Sequence, residues 1–247
     1  MLFLAVPDGA VGETAARIAR LKPPPRLAVV HLSGALGLDS LSALQANPRG
    51  SFHPLQSFPA PRAPSAFRGI TVAVDATTPT LRRRLAALAR MLGARPKHVT
   101  DGERVLYHAA AVFASNFVDV VIAEAVRLLT RIGWSGDEAT RALMPLVDGA
   151  VANIRKRGAV QALTGPIRRG DADTVKRHMD ALRKLGSGPS GPSGHLPMNG
   201  EETYRVYRML GLVALQIAIE AGLDPAAAER TRRALTRNVA ATRRRGQ

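Results

Sequence analysis

The chain of 247 residues contains no cysteine. That excludes disulfides, thiolate nucleophiles and cysteine-ligated metal. Aromatic residues are scarce, with one Trp, three Tyr and six Phe, too few to build a stacking platform for single-stranded nucleic acid. Acidic residues are few as well: 19 against 35 Lys and Arg give a formal net charge of +16. Such an excess raises nucleic acid as a partner. The basic residues, however, are spread along helical stretches, at Arg82-Arg83-Arg84, Arg155-Lys156-Arg157, Arg230 to Arg237 and Arg243-Arg244-Arg245. Solvated helix faces account for them, and the reading is against a nucleic-acid partner. No secretory signal is expected, because Met-Leu-Phe-Leu-Ala-Val carries no basic residue and its apolar run ends after about six residues. The longest apolar stretch, Val105 to Leu129, is broken by His108, Ser115, Asn116, Asp119, Glu124 and Arg127. No membrane partner is expected from it, and a cytoplasmic protein is.

What is present divides into two regimes. Up to about residue 100, short apolar runs alternate with helical stretches. Strands are predicted at Leu2 to Val6, Arg26 to Leu32, Gly69 to Asp75 and near Arg95 to Val99. Helices are predicted at Ala10 to Leu21, at Leu38 to Gln45, and from Thr78-Pro79 to just before Gly93. Apolar strands joined by helices indicate a mostly parallel sheet covered on both faces. Beyond residue 100 the strand signals vanish. Helices are predicted at 102–132, at 136–155 behind a capping-box spacing of Ser135 and Glu138, and at 172–185, 201–221 and 225–244. Gly186 to Gly194, rich in Gly, Ser and Pro, reads as a flexible link. The expected domains are therefore 1–100, α/β, and 101–247, all-α.

The stretch Arg104 to Asn116 is an apolar helix with polar side chains that are costly to bury unpaired, about 1–3 kcal/mol each. At about 100° per residue, His108, Ser115 and Asp119 share a direction, with Asn116 on the shoulder, while Val112, Phe113, Val120 and Val121 supply packing surface. Such a stripe faces a cleft or a satisfied polar network. No metal-ligand spacing links His53, His108 and His178. A Walker loop and a G-x-S-x-G nucleophile elbow are also absent.

Several spaced motifs carry a resemblance: Val6-Pro7-Asp8 after a strand, His31-Leu-Ser-Gly-Ala-Leu-Gly37, Gly50-Ser-Phe-His-Pro-Leu-Gln-Ser-Phe58, Tyr107-His-Ala-Ala-Ala, Ser115-Asn116 and Leu163-Thr-Gly-Pro-Ile-Arg-Arg-Gly-Asp171. Over essentially its whole length the chain resembles bacterial proteins that join a Rossmann-like domain to a C-terminal helical domain of unknown function, the DUF2520 type. That group resembles the 6-phosphogluconate-dehydrogenase-like superfamily, which includes ketopantoate, pyrroline-5-carboxylate and prephenate enzymes. The resemblance implies an incomplete Rossmann-like parallel sheet followed by an all-α domain. It also implies an NAD(P)-dependent oxidoreductase acting on a small 2-oxo or imino acid, with NADP or NAD as cofactor and a homodimer formed through the helical domain.

On that resemblance, the catalytic residues are His108, Ser115 and Asn116, since an imidazole can protonate a developing alkoxide. Substrate falls to His53, Gln56, Ser57, Thr164, Arg168 and Arg169, the paired arginines gripping a carboxylate. The cofactor falls to Val6, Pro7, Asp8, Ser33 and Gly34, with His31 nearby. Tyr107 reads as core and Asp171 as a helix cap. One departure stands out: no strand, G-x-G-x-x-G turn and helix grips the cofactor pyrophosphate. The chain is accordingly expected to be N-terminally short. The alternative is a non-catalytic, dimeric small-molecule-binding module that has lost dinucleotide binding.

Overall fold

The computed structural model describes residues 1–185 and 200–237. The predicted Gly186 to Gly194 link and the end of the predicted helix 225–244 lie outside the described residues. Contacts divide the chain into two compact units, 1–121 and 122–247.

The first unit is an α/β layer structure. Its strands are β1 (Leu2–Leu4), β2 (Val29–His31), β3 (Arg49–Pro54), β4 (Thr71–Ala76) and β5 (Arg95–His98), and they stand in that order across one sheet. β1, β2 and β3 run parallel, β4 runs antiparallel to β3, and β5 runs parallel to β4. The sheet is thus mixed, because a strand exists where a loop is expected: Gly50-Ser-Phe-His-Pro pairs along its length with Val72 to Ala76. His53 therefore sits in β3, opposite Ala73.

Both faces are covered, as neighbouring residues of β2 show. Val29 packs with Leu4, with Val11 and Ala15 of α1 (Asp8–Arg20), and with Leu41 and Leu44 of a 3-10 helix (Leu38–Leu44). Val30 packs on the other face with Phe52, Val72, Val74 and the Leu81, Leu85 and Ala89 stripe of α2 (Pro79–Met91). Alternation at period two on a two-sided sheet requires this division. Thr78 caps α2 by accepting from the Leu81 N–H, with Pro79 in the first turn.

The predicted helix 102–132 is two helices. α3 (Asp101–Ala114) opens on a capping box of Thr100 and Glu103, and the backbone leaves helical geometry at Ser115 (φ −128°, ψ −78°) before α4 (Asn116–Arg131). The break voids the phase argument that put Ser115 and Asp119 in line with His108. The packing surface expected there is outward as well, with Phe113 69% and Val120 49% exposed. By length and composition alone, the run 101–131 is apolar enough to cross a membrane. Its α3 half is nevertheless built into the sheet unit through Arg104 and Tyr107. That anchoring also carries α3 into the first unit, past the expected boundary at residue 100.

The second unit contains the rest of α4, then α5 (Gly136–Gln161), α6 (Gly165–Arg169), α7 (Ala172–Leu185), α8 (Gly200–Glu220) and α9 (Pro225–Thr236). α5 runs past its expected end at 155 and turns sharply at Gly158. Val175, Met179, Leu215, Ala228 and Leu235 form the core where α7, α8 and α9 meet. Asp171 and Asp224 act as caps for α7 and α9, accepting from the Thr174 and Ala227 N–H groups. Met144, Leu146, Ile154, Met209, Leu210 and Val213 of α5 and α8 are exposed.

Candidate functional site

The candidate site lies in the first unit, where the segment after β2 meets β3 and α3. Ser33 follows β2 and is buried. Its hydroxyl donates to Asp8 Oδ2 (2.7 Å) and accepts from the Ala35 and Leu36 N–H groups (3.1 and 3.0 Å). The Val6-Pro7-Asp8 turn between β1 and α1 is thereby latched to the segment after β2. The next residue is Gly34, where a Cβ would stand 2.6 Å from His108 Cδ2 and 2.7 Å from His53 Nε2. Any side chain there collides with two imidazoles, so glycine is what lets both rings close on the backbone.

His53 reaches this point from β3 and His108 from α3, their ring centroids 6.2 Å apart. His53 Nδ1 is hydrogen-bonded to the Tyr107 hydroxyl at 2.8 Å, the rings edge to face. Burial, and after it the nearby His108 and Arg104 charges, lower the His53 pKa to about 4. Burial raises the Tyr107 pKa. At neutral pH the pair is therefore an uncharged imidazole against a protonated phenol. Tyr107, read as core from the sequence, is half-buried and belongs to this cluster.

Behind it lies a residue that the sequence reading missed. Arg104, one turn before His108, is fully buried, and its Nη2 donates to Ser51 Oγ (2.6 Å) and the Val99 carbonyl (3.2 Å). Its Nε lies 3.8 Å from Asp101 Oδ1, while Nε and Nη1 have no hydrogen-bond partner. His31 is equally buried, with both ring nitrogens unpartnered and its pKa lowered to about 4 by burial and then by Arg104. An arginine in the first turns of a helix ordinarily reads as solvated. The signal that could have found this one is its position four residues ahead of His108 on an apolar helix.

The structure thus brings together His53, His108 and Gly34, with Ser33 and Asp8 alongside. It does not bring in Gln56 and Ser57, which are exposed beyond β3 and bonded to each other. Asn116 is exposed and Ser115 forms the break between helices. Thr164, Arg168 and Arg169 lie in the second unit, where they line one cleft. Among the described residues there is no group of three or more His, Cys, Asp or Glu able to hold a metal ion.

Pyrophosphate needs a helix N-terminus opened by glycines, with backbone amides free to face the anion. The residues of the β1–α1 turn do not fit it: Pro7 precedes the helix, and the Asp8 carboxylate occupies its first turn.

The architecture is that of a Rossmann-like sheet followed by a helical region. The chain superposes on a candidate NADP oxidoreductase from Bacteroides fragilis at a TM-score of 0.68 and 24% identity, covering 86% of this chain and 73% of that one. It also superposes on protein TM1727 from Thermotoga maritima at a TM-score of 0.71 and 22% identity, covering 89% and 78%. No curated protein sequence matches the chain. Residues 70–214 match the family described as a domain of unknown function, DUF2520. The chain belongs to that family.

Proposed function

We propose that this chain is an NAD(P)-dependent oxidoreductase that reduces a small 2-oxo or imino acid, NADPH or NADH supplying the hydride when bound. The single observation that carries the reading is the closure of His53 and His108 on Gly34 at the strand ends, where α/β folds collect their ligand sites. His108 is the proton donor to the reduced oxygen or nitrogen, and Tyr107 donates to His53 Nδ1, leaving Nε2–H to hydrogen-bond the substrate. Because the β1–α1 turn does not fit pyrophosphate, no part of this account routes through the cofactor's phosphates. The fold shared with a candidate NADP oxidoreductase supports the cofactor class.

Calorimetric titration with NADPH and NADH, on this chain and on a version extended upstream in frame, tests the proposal. Binding by either form is expected, with His108→Ala removing reduction of 2-oxo acids while leaving cofactor binding in place. Binding by neither form overturns it and favours a small-molecule-binding module without redox chemistry.

The protein works as a homodimer through its helical region. The support is the exposed apolar row of α5 and α8, of a kind that marks interaction surfaces. Met209→Glu with Val213→Glu is expected to halve the mass measured by light scattering.

A further inference from the structure

The second unit contains a cleft of about 650 Å³ that the account above leaves unused. Its walls come from the end of α5, from the turn and short helix of residues 163–169, and from the turn between α8 and α9. Three arginines line it, Arg157, Arg168 and Arg169, against one acidic residue, Asp224. Asp224 is already engaged, because its Oδ2 accepts from the Ala227 N–H at 2.8 Å as the cap of α9. The neighbouring Asp171 is engaged in the same way with the Thr174 N–H. Each keeps its negative charge, and Asp171 is drawn to Arg169, but with one oxygen held on a backbone N–H the two carboxylates remain fewer than the three arginines.

The cleft is built, and the positive charge is not a loose surface run. Arg168 Nη2 donates to the Ala221 carbonyl at 2.9 Å, which pins this side chain across the α8–α9 turn. The turn at Gly170 has φ +69°, and a Cβ there would stand 2.6 Å from Ala227 Cβ. Glycine at this position lets the segment after α6 press against α9 and sets the spacing of the two walls. Arg157 makes no hydrogen bond or ion pair among the described residues. Gln161 and Thr164 add side-chain groups able to hydrogen-bond beside it. Like charges gathered in one concavity repel until an anion joins them, and guanidinium forks match planar or tetrahedral oxyanions.

We propose that this cleft is an anion-binding site of the helical unit, taking a small molecule that presents a multiply charged oxyanion, phosphoryl or polycarboxylate. The site does not depend on the dinucleotide reading of the first unit. Titration of the full chain with pyrophosphate and with citrate, at constant ionic strength, tests it by calorimetry. Saturable binding of one ligand per chain is expected, weakened at least tenfold by Arg157→Gln or Arg169→Gln. Both side chains are exposed, and an unchanged melting temperature in the absence of ligand separates loss of the site from loss of the fold. Arg141→Gln removes the same charge about 24 Å away along α5, at about 1.5 Å per residue, and is expected to change affinity less than twofold. Preference for pyrophosphate assigns a phosphoryl ligand, and preference for citrate assigns a polycarboxylate. The proposal is overturned if neither anion binds at millimolar concentration, or if Arg141→Gln weakens binding as much as the cleft variants do.

Discussion

The two units place their polar groups in opposite ways. In the first, Arg104, His31 and Ser51 are withdrawn from water beneath α3, and their behaviour is set by desolvation. In the second, Arg157 and Arg169 stand exposed at a cleft mouth, and their behaviour is set by the charge around them. A buried ionisable group holds one protonation state across a wide pH range, while an exposed cation waits for a partner. The first arrangement suits a site that must present defined hydrogen-bonding groups. The second suits capture of an anion.

The sharpest way to break this comparison is to remove the same residue type from each unit. Arg104→Ala deletes a fully buried guanidinium that bonds Ser51 and the Val99 carbonyl. Its loss is expected to cost about 3 kcal/mol, from lost charged hydrogen bonds and the cavity left behind. Arg157→Ala is expected to stay within about 0.5 kcal/mol of the parent, as exposed substitutions do. Urea unfolding of both variants decides the matter, and equal costs would remove the distinction between the units.

A second test uses pH. The pKa of His31 falls from an unfolded value near 6.5 to about 4 in the fold. The unfolded chain therefore binds the proton first as pH drops, so stability is complete above about pH 6.5 and is lost as pH falls toward 4. At about 1.4 kcal/mol for each pKa unit, the loss attached to His31 is roughly 3 kcal/mol. Since neither ring nitrogen has a partner, His31→Leu is expected to be neutral or stabilising at pH 7 and to flatten the acid limb. Denaturation midpoints at pH 7, 6, 5 and 4 measure it. A variant as acid-sensitive as the parent would show that desolvation of His31 is not the cause.

How much of this was legible in the sequence follows from where local signals and tertiary contacts agreed. β2 and β4 carry Val runs bounded by turns, and α2 and α7 carry their own caps, so their approximate bounds could be read directly, whereas for α9 only the start at Pro225 was, since the helix ends at Thr236 and not at 244. β3 was hidden because Gly50, His53 and Pro54 are poor strand formers, and pairing with β2 and β4 holds them extended. The break at Ser115 left no trace, since neither glycine nor proline marks it. Of the candidate site, His108 was nameable from the polar stripe on an apolar helix, whereas His53 and Gly34 were nameable only through the family resemblance, because residues 19 or more apart meet only in the fold. Burial of Arg104 and the bond from Tyr107 to His53 are tertiary facts that no local spacing encodes.

The smallest expected effect is the finest test, because the molecule contains the same pair twice. Tyr107 is bonded to His53 Nδ1 and Tyr207 to His178 Nδ1, both at 2.8 Å and both with rings edge to face. The geometry is alike, but His53 is substantially desolvated whereas His178 is exposed. A hydrogen bond is worth more where water cannot replace the lost partner, so Tyr107→Phe is expected to cost about 1 kcal/mol and Tyr207→Phe roughly half that or less. Only the first is expected to change the ¹⁵N shifts of the His53 ring at neutral pH, because the phenol there helps select which nitrogen carries the proton. Equal costs, with the His53 resonances unmoved, would mean that the contact is packing alone and would take Tyr107 out of the candidate site.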